Sequence, residues 1–266
     1  MDFLSKSKNL IRFYLDAVPF NKIANPDIAE LVYFLLENET HTCSPGNIEK
    51  VRNGLLKNEK ILKITDLGAG SKYTKARYRT VKSIAKTALS PQWQCKILNK
   101  LIQYFHCKTI VELGTSLGIS AAYMAENLYA GTVYTLEGDA NIANMAMQTF
   151  AALNLNNIKL VIGDFDITLP VILNNTGSVD FAFIDGNHKH KATLDYFNTL
   201  SDKSGKETVM VFDDIYWSKE MKKAWAEIKN DNRVKGSLDF YYFGVIFFNE
   251  RYAGHYKVIK RSLKPL

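Results

Sequence analysis

Cysteine is scarce in this chain of 266 residues. It occurs only at Cys43, Cys95 and Cys107, with no CxxC pair and no cluster of histidines nearby. Disulfide frameworks and structural zinc sites both need more cysteines at regular spacings, so the sequence predicts neither. We expect these residues to be buried or free thiols.

Long apolar runs are also missing. No stretch approaches the roughly 18 to 20 apolar residues that cross a bilayer as a helix. Charged residues interrupt the apolar positions of residues 1–20, whereas a signal peptide has an uninterrupted apolar centre. The sequence therefore predicts a cytoplasmic protein without membrane-spanning segments.

Acidic residues are outnumbered in one part of the chain only. Residues 1–107 contain 17 Lys and Arg against nine Asp and Glu, a net charge of +8, whereas residues 108–266 contain 17 against 18. This asymmetry suggests an anionic substrate or partner near the N-terminal part. A well-solvated helical surface explains the same count.

Residues 1–107 carry helix signals. Asn25-Pro26, Ser44-Pro45 and Ser90-Pro91 each put a capping side chain before a proline at the first helical position. They predict helices near 27–38, 47–57 and 91–106. The apolar residues expected on one face of the last helix are Trp93, Ile97, Leu98, Leu101, Ile102 and Phe105. We expect a mainly helical N-terminal extension over residues 1–90 and a second domain over 91–266.

From residue 108 onwards the pattern changes to short, β-branched apolar runs separated by helical stretches. The runs are 109–113, 132–137, 158–163, 179–184 and 208–212, and the helical stretches are 119–128, 141–153, 191–200 and 219–229. This alternation is typical of a buried parallel sheet with crossover helices. Residues 234–240 and 244–249 are separated by too few residues for a crossover, so we expect an antiparallel hairpin that closes one edge. The predicted fold is α/β, a doubly wound, mostly parallel seven-stranded sheet.

An acidic residue stands at or just past the end of each of these five runs. The five are Glu112, Glu137, Asp164, Asp185 and Asp213. Parallel strands end at one edge of the sheet, where open α/β folds bind ligands, so the acids should gather there. A single acid of this kind is more often a helix cap, but the regular spacing favours a binding edge.

The first run leads into a glycine-containing turn, Glu112-Leu-Gly-Thr-Ser-Leu-Gly118. Gly114 and Gly118 allow a tight turn and close approach of a ligand. The turn lacks the G-x-G-x-x-G pattern of dinucleotide-binding folds, which argues against a nicotinamide cofactor. The similar turn at residues 66–71 is rejected as a cofactor loop, because no acid follows where the next strand should end.

Five motifs together resemble a known family. VELGTSLGIS, VYTLEGD, LVIGDFD, FAFIDGNHKH and VMVFDDIYW occur in this order over residues 109–217. In these motifs the chain resembles the Rossmann-like S-adenosylmethionine-dependent methyltransferases. The nearest branch is that of the small-molecule O-methyltransferases, which includes catechol and macrocin O-methyltransferases.

The resemblance implies a binding site for S-adenosylmethionine. It implies that the first turn binds the methionine portion, that Glu137 binds the ribose, and that Asp164 with Phe165 contacts the adenine. The complete implied set is Glu112, Gly114, Thr115, Ser116, Gly118, Glu137, Gly138, Asp164, Phe165 and Asp185.

The same resemblance implies a magnesium site at Asp185, Asp213 and Asp214, since carboxylates supply the oxygen ligands that magnesium requires. The chain departs from the D-G-D pattern of many sugar-modifying members, because it has Asn187 at the position of the second acid. Asn187 cannot accept a proton, whereas His188 can. We therefore expect His188 and Asp185 to be catalytic. In the competing interpretation, Asp185, Asp213 and Asp214 only cap loops or contact the cofactor.

The expected activity is methyl transfer to a small-molecule hydroxyl group, with an anionic acceptor as one option and a homodimer left open. A cofactor-binding protein without catalysis is the alternative, and nicotinamide-dependent oxidoreduction is a weaker one. Lys75, Arg79, Lys82 and Lys86 form a basic stripe on a predicted helix, which is either an acceptor contact or a solvated face. Nucleic acid is not favoured, because the aromatic residues of 238–248 are explained by the hairpin.

Overall fold

The structure of the protein is a computed structural model that describes residues 3–38, 46–64 and 78–260. Its α-helices are α1 (Phe3–Asp16), α2 (Pro26–Leu36), α3 (Gly46–Leu55), α4 (Val81–Ala88), α5 (Gln92–Tyr104), α6 (Ile119–Ala125), α7 (Ala140–Ala152), α8 (Phe165–Thr176), α9 (His190–Ser201) and α10 (Lys219–Lys229). Its strands are β1 (Ile61–Lys63), β2 (Tyr78–Thr80), β3 (Thr109–Leu113), β4 (Thr132–Glu137), β5 (Ile158–Ile162), β6 (Val179–Ile184), β7 (Ser204–Asp213), β8 (Gly236–Asp239), β9 (Phe243–Phe247) and β10 (Gly254–Lys257). Among the helices in these ranges, none combines the length and the apolar character that a membrane crossing requires.

The fold class expected from the sequence is confirmed. Eight of the strands form a mostly parallel sheet, and β1 and β2 pair in a separate antiparallel sheet. The large sheet has one strand more than expected. The chain divides into two compact units, one of residues 42–179 and one of residues 1–41 with 180–266. The division into domains 1–90 and 91–266 stays a prediction.

The unit of residues 42–179 is built on β3, β4 and β5. β4 pairs in parallel with β3 on one side and with β5 on the other, and Glu137 stands opposite Ile162. The helices α6 and α7 make the crossovers, as their apolar periodicity predicts. The inner strand positions Ile110, Val111 and Val133 are completely buried. This burial explains why these strands consist of near-continuous apolar residues.

The N-terminal part of this unit differs from the predicted row of helices. β1 and β2 form a hairpin with Ile61 opposite Thr80, and α4 begins only at Val81. The basic stripe is therefore not one helical face, because Arg79 lies on β2 and donates to Ser83 and Thr87. Lys75 and the rejected turn at 66–71 lie outside the described residues.

Helix α5 lies where the sequence predicts it, but its start and its buried face differ. Pro91 is the N-cap, without a side-chain hydrogen bond. The Ser90 carbonyl accepts from Arg52 Nη1 at 2.9 Å, so Ser90 joins a buried contact with α3. Trp93 is 42% exposed and does not share the buried face of Ile97 and Leu101.

The unit of residues 1–41 with 180–266 contains the strand order β10-β8-β9-β7-β6. β8 and β9 form the expected antiparallel hairpin, and Gly236 stands opposite Phe247. The hairpin does not close the edge, however. β10 adds to β8 in parallel, from Gly254 opposite Gly236, and is the outermost strand.

The N-terminal helices α1 and α2 belong to this same unit. The Asn25 cap is confirmed, because its side-chain oxygen accepts from the N–H groups of Asp27 and Ile28. Its amide donates to the carbonyls of Arg251 and Ala253, so one side chain caps α2 and binds the turn that precedes β10.

Helix α8 was not predicted. It contains Pro170, a residue that normally marks the end of a helix, and its buried residues are limited to Leu169, Ile172 and Leu173. A proline after the first turn interrupts the helical signal in the sequence. The crossover between β5 and β6 is therefore helical, like the others.

Candidate functional site

The turn after β3 adopts a backbone that its residues make possible. Gly114 and Gly118 have φ angles of +105° and +83°, a region that favours glycine. A Cβ atom at Gly118 would lie 2.6 Å from the ring of Phe150. Gly114 and Thr115 donate their N–H groups to the carbonyl of Leu136 at 3.0 and 3.1 Å. The turn is thereby fixed against the end of β4.

The structure brings Glu137 and this turn together. Glu137 Oε2 accepts from the backbone N–H of Ser116 at 2.9 Å, and Oε1 accepts from that of Asp139 at 3.0 Å. The N–H of Gly138 also contributes to holding the carboxylate. Burial raises the pKa of Glu137 from its usual value, and the backbone donors oppose this shift. Carboxylate oxygens have further lone pairs, so these bonds leave acceptor capacity for a ligand.

Glu112 forms a buried network beneath the same turn. Its side chain is fully buried, and Oε2 accepts from Thr135 Oγ1, which also lies 2.5 Å from Thr115 Oγ1. Burial raises the pKa of Glu112 to about 7, and hydrogen bonds from Ser120 and Thr135 limit the shift. A carboxyl group can be kept partly protonated near neutral pH in this way.

Two buried polar atoms at this turn have no hydrogen-bond partner among the described residues. They are Glu112 Oε1 and Ser116 Oγ. Most buried polar groups in folded proteins are satisfied, so an unsatisfied pair at one turn calls for an explanation. A ligand that supplies polar groups at the turn is such an explanation.

Asp164 follows β5 and caps α8. Its Oδ1 accepts from the N–H of Asp166 at 2.9 Å, and its side chain is exposed. The preceding Gly163 donates its N–H to the Glu137 carbonyl at 2.9 Å, which ties this turn to the end of β4. Phe165 is the first residue of α8 and is half-buried. The helix-cap interpretation of Asp164 thus has structural support, and its adenine contact stays a prediction.

A second cluster lies after β6 and β7, in the unit that contains residues 180–266. His188 Nε2 is 3.6 Å from Asp185 Oδ1 and 3.9 Å from Asp214 Oδ2. The ring of His188 lies 5.6 Å from that of Trp217, centroid to centroid. Burial lowers the pKa of His188 from its usual value, and Asp214 opposes this effect. The structure therefore brings together three of the predicted catalytic and metal-binding residues.

Asn187 lies beside this cluster in a left-handed conformation, with φ of +61°. Its Nδ2 donates to Tyr196 OH at 3.2 Å. Its buried Oδ1 has no hydrogen-bond partner within the described part of the chain. The Asn187 side chain is thus held by α9 and presents an unused acceptor.

The predicted magnesium site does not have the geometry of a bound metal. Among residues 3–38, 46–64 and 78–260, no group of three or more His, Cys, Asp or Glu side chains is arranged to hold a metal ion. His188 instead lies within 4 Å of two of the expected ligands. The ligand set of Asp185, Asp213 and Asp214 stays a prediction.

Comparison with known proteins agrees with the methyltransferase resemblance. The family described as "Methyltransferase domain" matches residues 111–215, a segment that contains the first four motifs, most of the fifth, and the acids and His188 of the two clusters. One curated relative, a tRNA (guanine-N(7)-)-methyltransferase from Mycoplasma mobile, is 30% identical over 87 residues. That match covers 31% of this chain and 43% of the relative, so the chain spans less than half the length of the curated protein it matches.

Solved structures show the same fold. An O-methyltransferase from Bacillus cereus, crystallised with SAH, has a TM-score of 0.53 at 23% identity, covering 60% of this chain and 83% of its own. The SAH-bound methyltransferase PaMTH1 from Podospora anserina has a TM-score of 0.60 at 18% identity, covering 87% and 98%. These structures confirm the fold that the motifs imply, and the family match to residues 111–215 agrees with the resemblance.

Sequence reasoning missed the hydroxyl network under the first turn. Thr135 is completely buried in β4 between apolar neighbours. A threonine in a strand is common, because its β-branched side chain suits strands. The sequence feature that could have predicted this network is the position of Thr135 in a buried strand next to β3, which contains Glu112.

Proposed function

We propose that this protein is an S-adenosylmethionine-dependent methyltransferase that methylates a hydroxyl oxygen of a small-molecule acceptor. The proposal rests on one observation, the hydrogen bond from Ser116 N to Glu137 Oε2. This bond joins the first turn to the acid that we expect to bind the ribose hydroxyls. Two strand ends far apart in the chain then make one site within a methyltransferase domain. An acid at the end of the second strand is where nucleotide-binding α/β folds bind ribose hydroxyls.

The residues present fit an adenosine cofactor with a charged tail. Glu137 would accept the ribose hydroxyls, and Asp164 with Phe165 would contact the adenine. The unsatisfied Glu112 Oε1 and Ser116 Oγ would face the polar groups of the methionine portion. Gly118 lets the turn pack closely against α7, because a side chain there would meet Phe150. When bound, S-adenosylmethionine supplies an electrophilic methyl group.

For the acceptor, we assign His188 as the proton acceptor and Asp185 as the residue that orients it. Because His188 Nε2 faces the carboxylates of Asp185 and Asp214, Nδ1 would accept the proton of the acceptor hydroxyl. The hydroxyl oxygen would then receive the methyl group that the bound cofactor supplies. The lowered pKa of His188 keeps the ring neutral at physiological pH, as a general base requires.

The cofactor half of the proposal is tested by calorimetry. We expect the wild-type protein to bind S-adenosylmethionine and not NAD. Glu137→Gln should weaken binding about tenfold or more, since a charge-assisted hydrogen bond is lost. Glu30→Gln is the matched control, because Glu30 is an exposed residue of α2. Equal affinity of the two variants, or binding of NAD alone, contradicts the proposal.

The catalytic half is tested by release of S-adenosylhomocysteine with a panel of hydroxylated acceptors, anionic and neutral, and a tRNA transcript. Activity that falls at least a hundredfold in His188→Gln but not in His106→Gln supports the assignment of His188. His106 is exposed and lies outside both clusters. Retained activity in His188→Gln overturns that assignment. Tight cofactor binding without turnover on any acceptor favours the binding protein without catalysis, and transfer to tRNA alone replaces the small-molecule acceptor.

A further inference from the structure

A groove lies between β1 and α7, and none of its lining residues is assigned to the cofactor or to the acceptor. It has a volume of about 590 Å³ and lies within the unit of residues 42–179. Sites for small ligands commonly have about 300–1,000 Å³. The groove is therefore large enough for a ligand of nucleotide size.

The polar side chains that line the groove are basic or neutral. Its described lining residues include two lysines and three side-chain amides but no carboxylate. Lys60 and Lys63 stand on the strand side, and Asn144 and Gln148 stand on the helix side. Leu62 and Met145, which are 6% and 4% exposed, form the buried apolar part.

The two walls are held together at both ends of β1. Asn141 Nδ2 donates to the Lys63 carbonyl at 2.9 Å. At the other end, Lys60 Nζ lies 3.9 Å from Met145 Sδ. The thioether sulfur is a weak acceptor, so this contact leaves most of the ammonium's donor capacity unused.

Several of the donors that line the groove have no partner within the described residues. Within the described residues, the Lys63 ammonium makes no ion pair, and the side-chain amides of Asn144 and Gln148 make no hydrogen bond. Lys82, on the nearby α4, is by contrast paired with Glu59. The groove thus combines two ammonium groups and two amide donors on opposite walls.

We propose that this groove binds a phosphate group. A phosphate carries about −1.5 to −2 charges and several acceptor oxygens at neutral pH, so it can accept from both walls at once. Lysine is a common phosphate-binding residue, acting as a point charge. A single carboxylate offers fewer acceptors and less charge. The phosphate comes either from a small phosphorylated molecule or from a nucleic-acid backbone.

The test is a titration of the full-length protein by NMR, with the side-chain amide signals of Asn144 and Gln148 as readout. The probes are inorganic pyrophosphate, adenosine monophosphate and a single-stranded RNA of eight nucleotides, with acetate at equal ionic strength as reference. We expect these signals to shift with pyrophosphate and not with acetate. A shift with adenosine monophosphate assigns the phosphate to a small molecule, and tighter binding of RNA assigns it to a polymer.

The variant Lys60→Gln/Lys63→Gln should weaken the binding of pyrophosphate about tenfold, since two exposed ion pairs are lost. The control Lys203→Gln/Lys206→Gln makes the same change in net charge on a different segment. Equal weakening in both variants, or no shift at Asn144 and Gln148 with any phosphate probe, overturns the proposal. Binding of S-adenosylmethionine should be unchanged in both double variants, so the result is independent of the proposed function.

Discussion

Glu112 is the residue whose ionisation links the proposed cofactor site to pH. Burial raises its pKa to about 7, and its Oε1 is unsatisfied within the described residues. The amino group of S-adenosylmethionine is cationic and favours the ionised carboxylate. We therefore expect affinity to rise with pH between about 6 and 8, and binding near pH 7 to release protons.

Calorimetry in buffers of different ionisation enthalpy measures this proton release. Glu112→Gln should bind the cofactor more weakly, with no proton release and little dependence of the affinity on pH. If the variant kept the wild-type pH dependence, another group would be responsible.

The same carboxyl group makes a prediction about stability. Its pKa lies near 7 in the folded state and near 4.5 in the unfolded chain, so between these values only the folded state holds the proton. The free energy of unfolding therefore falls as pH rises from 4.5 to 7, by about 3 kcal/mol from this group. Urea unfolding at pH 5 and pH 8 measures the difference between wild type and Glu112→Gln. The variant should lack this part of the decrease, and an identical loss in both proteins contradicts the prediction.

Gly118 is a residue at which a single methyl group should disturb the first turn. Its φ is +83°, and an added Cβ meets the Phe150 ring at 2.6 Å and Ala146 Cβ at 3.2 Å. We expect Gly118→Ala to lower the free energy of unfolding by about 1–3 kcal/mol and to weaken cofactor binding. Gly205→Ala is the control, because nothing lies within 4 Å of its added Cβ. Thermal unfolding and calorimetry measure both variants. If Gly205→Ala had the same effects as Gly118→Ala, the contact with Phe150 would not be the cause.

At the scale of elements, the turn between β8 and β9 is joined to the segment after β7. Tyr216 OH donates to Asp239 Oδ2 at 2.6 Å, and the N–H of Tyr241 donates to Oδ1 at 2.9 Å. The rings of Tyr216 and Tyr241 stack at 5.2 Å. Asp239 is 2% exposed, and burial raises its pKa. Tyr216 lies two residues after Asp214, so this contact fixes the backbone next to the His188 cluster.

Removal of the Tyr216 hydroxyl leaves a buried carboxylate without one of its donors. Tyr216→Phe should therefore lower the free energy of unfolding by about 1–3 kcal/mol. Tyr129→Phe is the control, because Tyr129 is 93% exposed. Denaturant unfolding at neutral pH measures both, and a neutral effect of Tyr216→Phe would mean that water replaces the lost donor.

At the scale of the whole molecule, ligand binding should stabilise the fold. At a concentration a hundred times its dissociation constant, S-adenosylmethionine should add about 2.7 kcal/mol, which raises the melting temperature by roughly 5–10 °C. Thermal unfolding with the cofactor, with S-adenosylhomocysteine and with NAD measures this effect. Stabilisation by NAD but by neither adenosyl compound would contradict the proposed function.

Much of this architecture could be predicted from local sequence. The strands β3 to β6 follow from apolar runs, and the cap at Asn25 follows from its side chain. The partners of a strand depend on residues far away, so the parallel addition of β10 to β8 had no local signal. The contact of Glu137 with the Ser116 N–H was predictable in kind, because parallel strands end at one edge. The position of His188 between Asp185 and Asp214 depends on side-chain packing, which no spacing encodes.

The bonds from Asn25 to the carbonyls of Arg251 and Ala253 have a consequence for synthesis on the ribosome. The partners are up to 228 positions apart, so the start of the chain emerges long before the residues it binds. At about 5–20 residues per second, α2 waits roughly 11–46 s for them. During this interval the side-chain amide of Asn25 lacks both of its native acceptors, and a nascent chain that stops before Arg251 never acquires them.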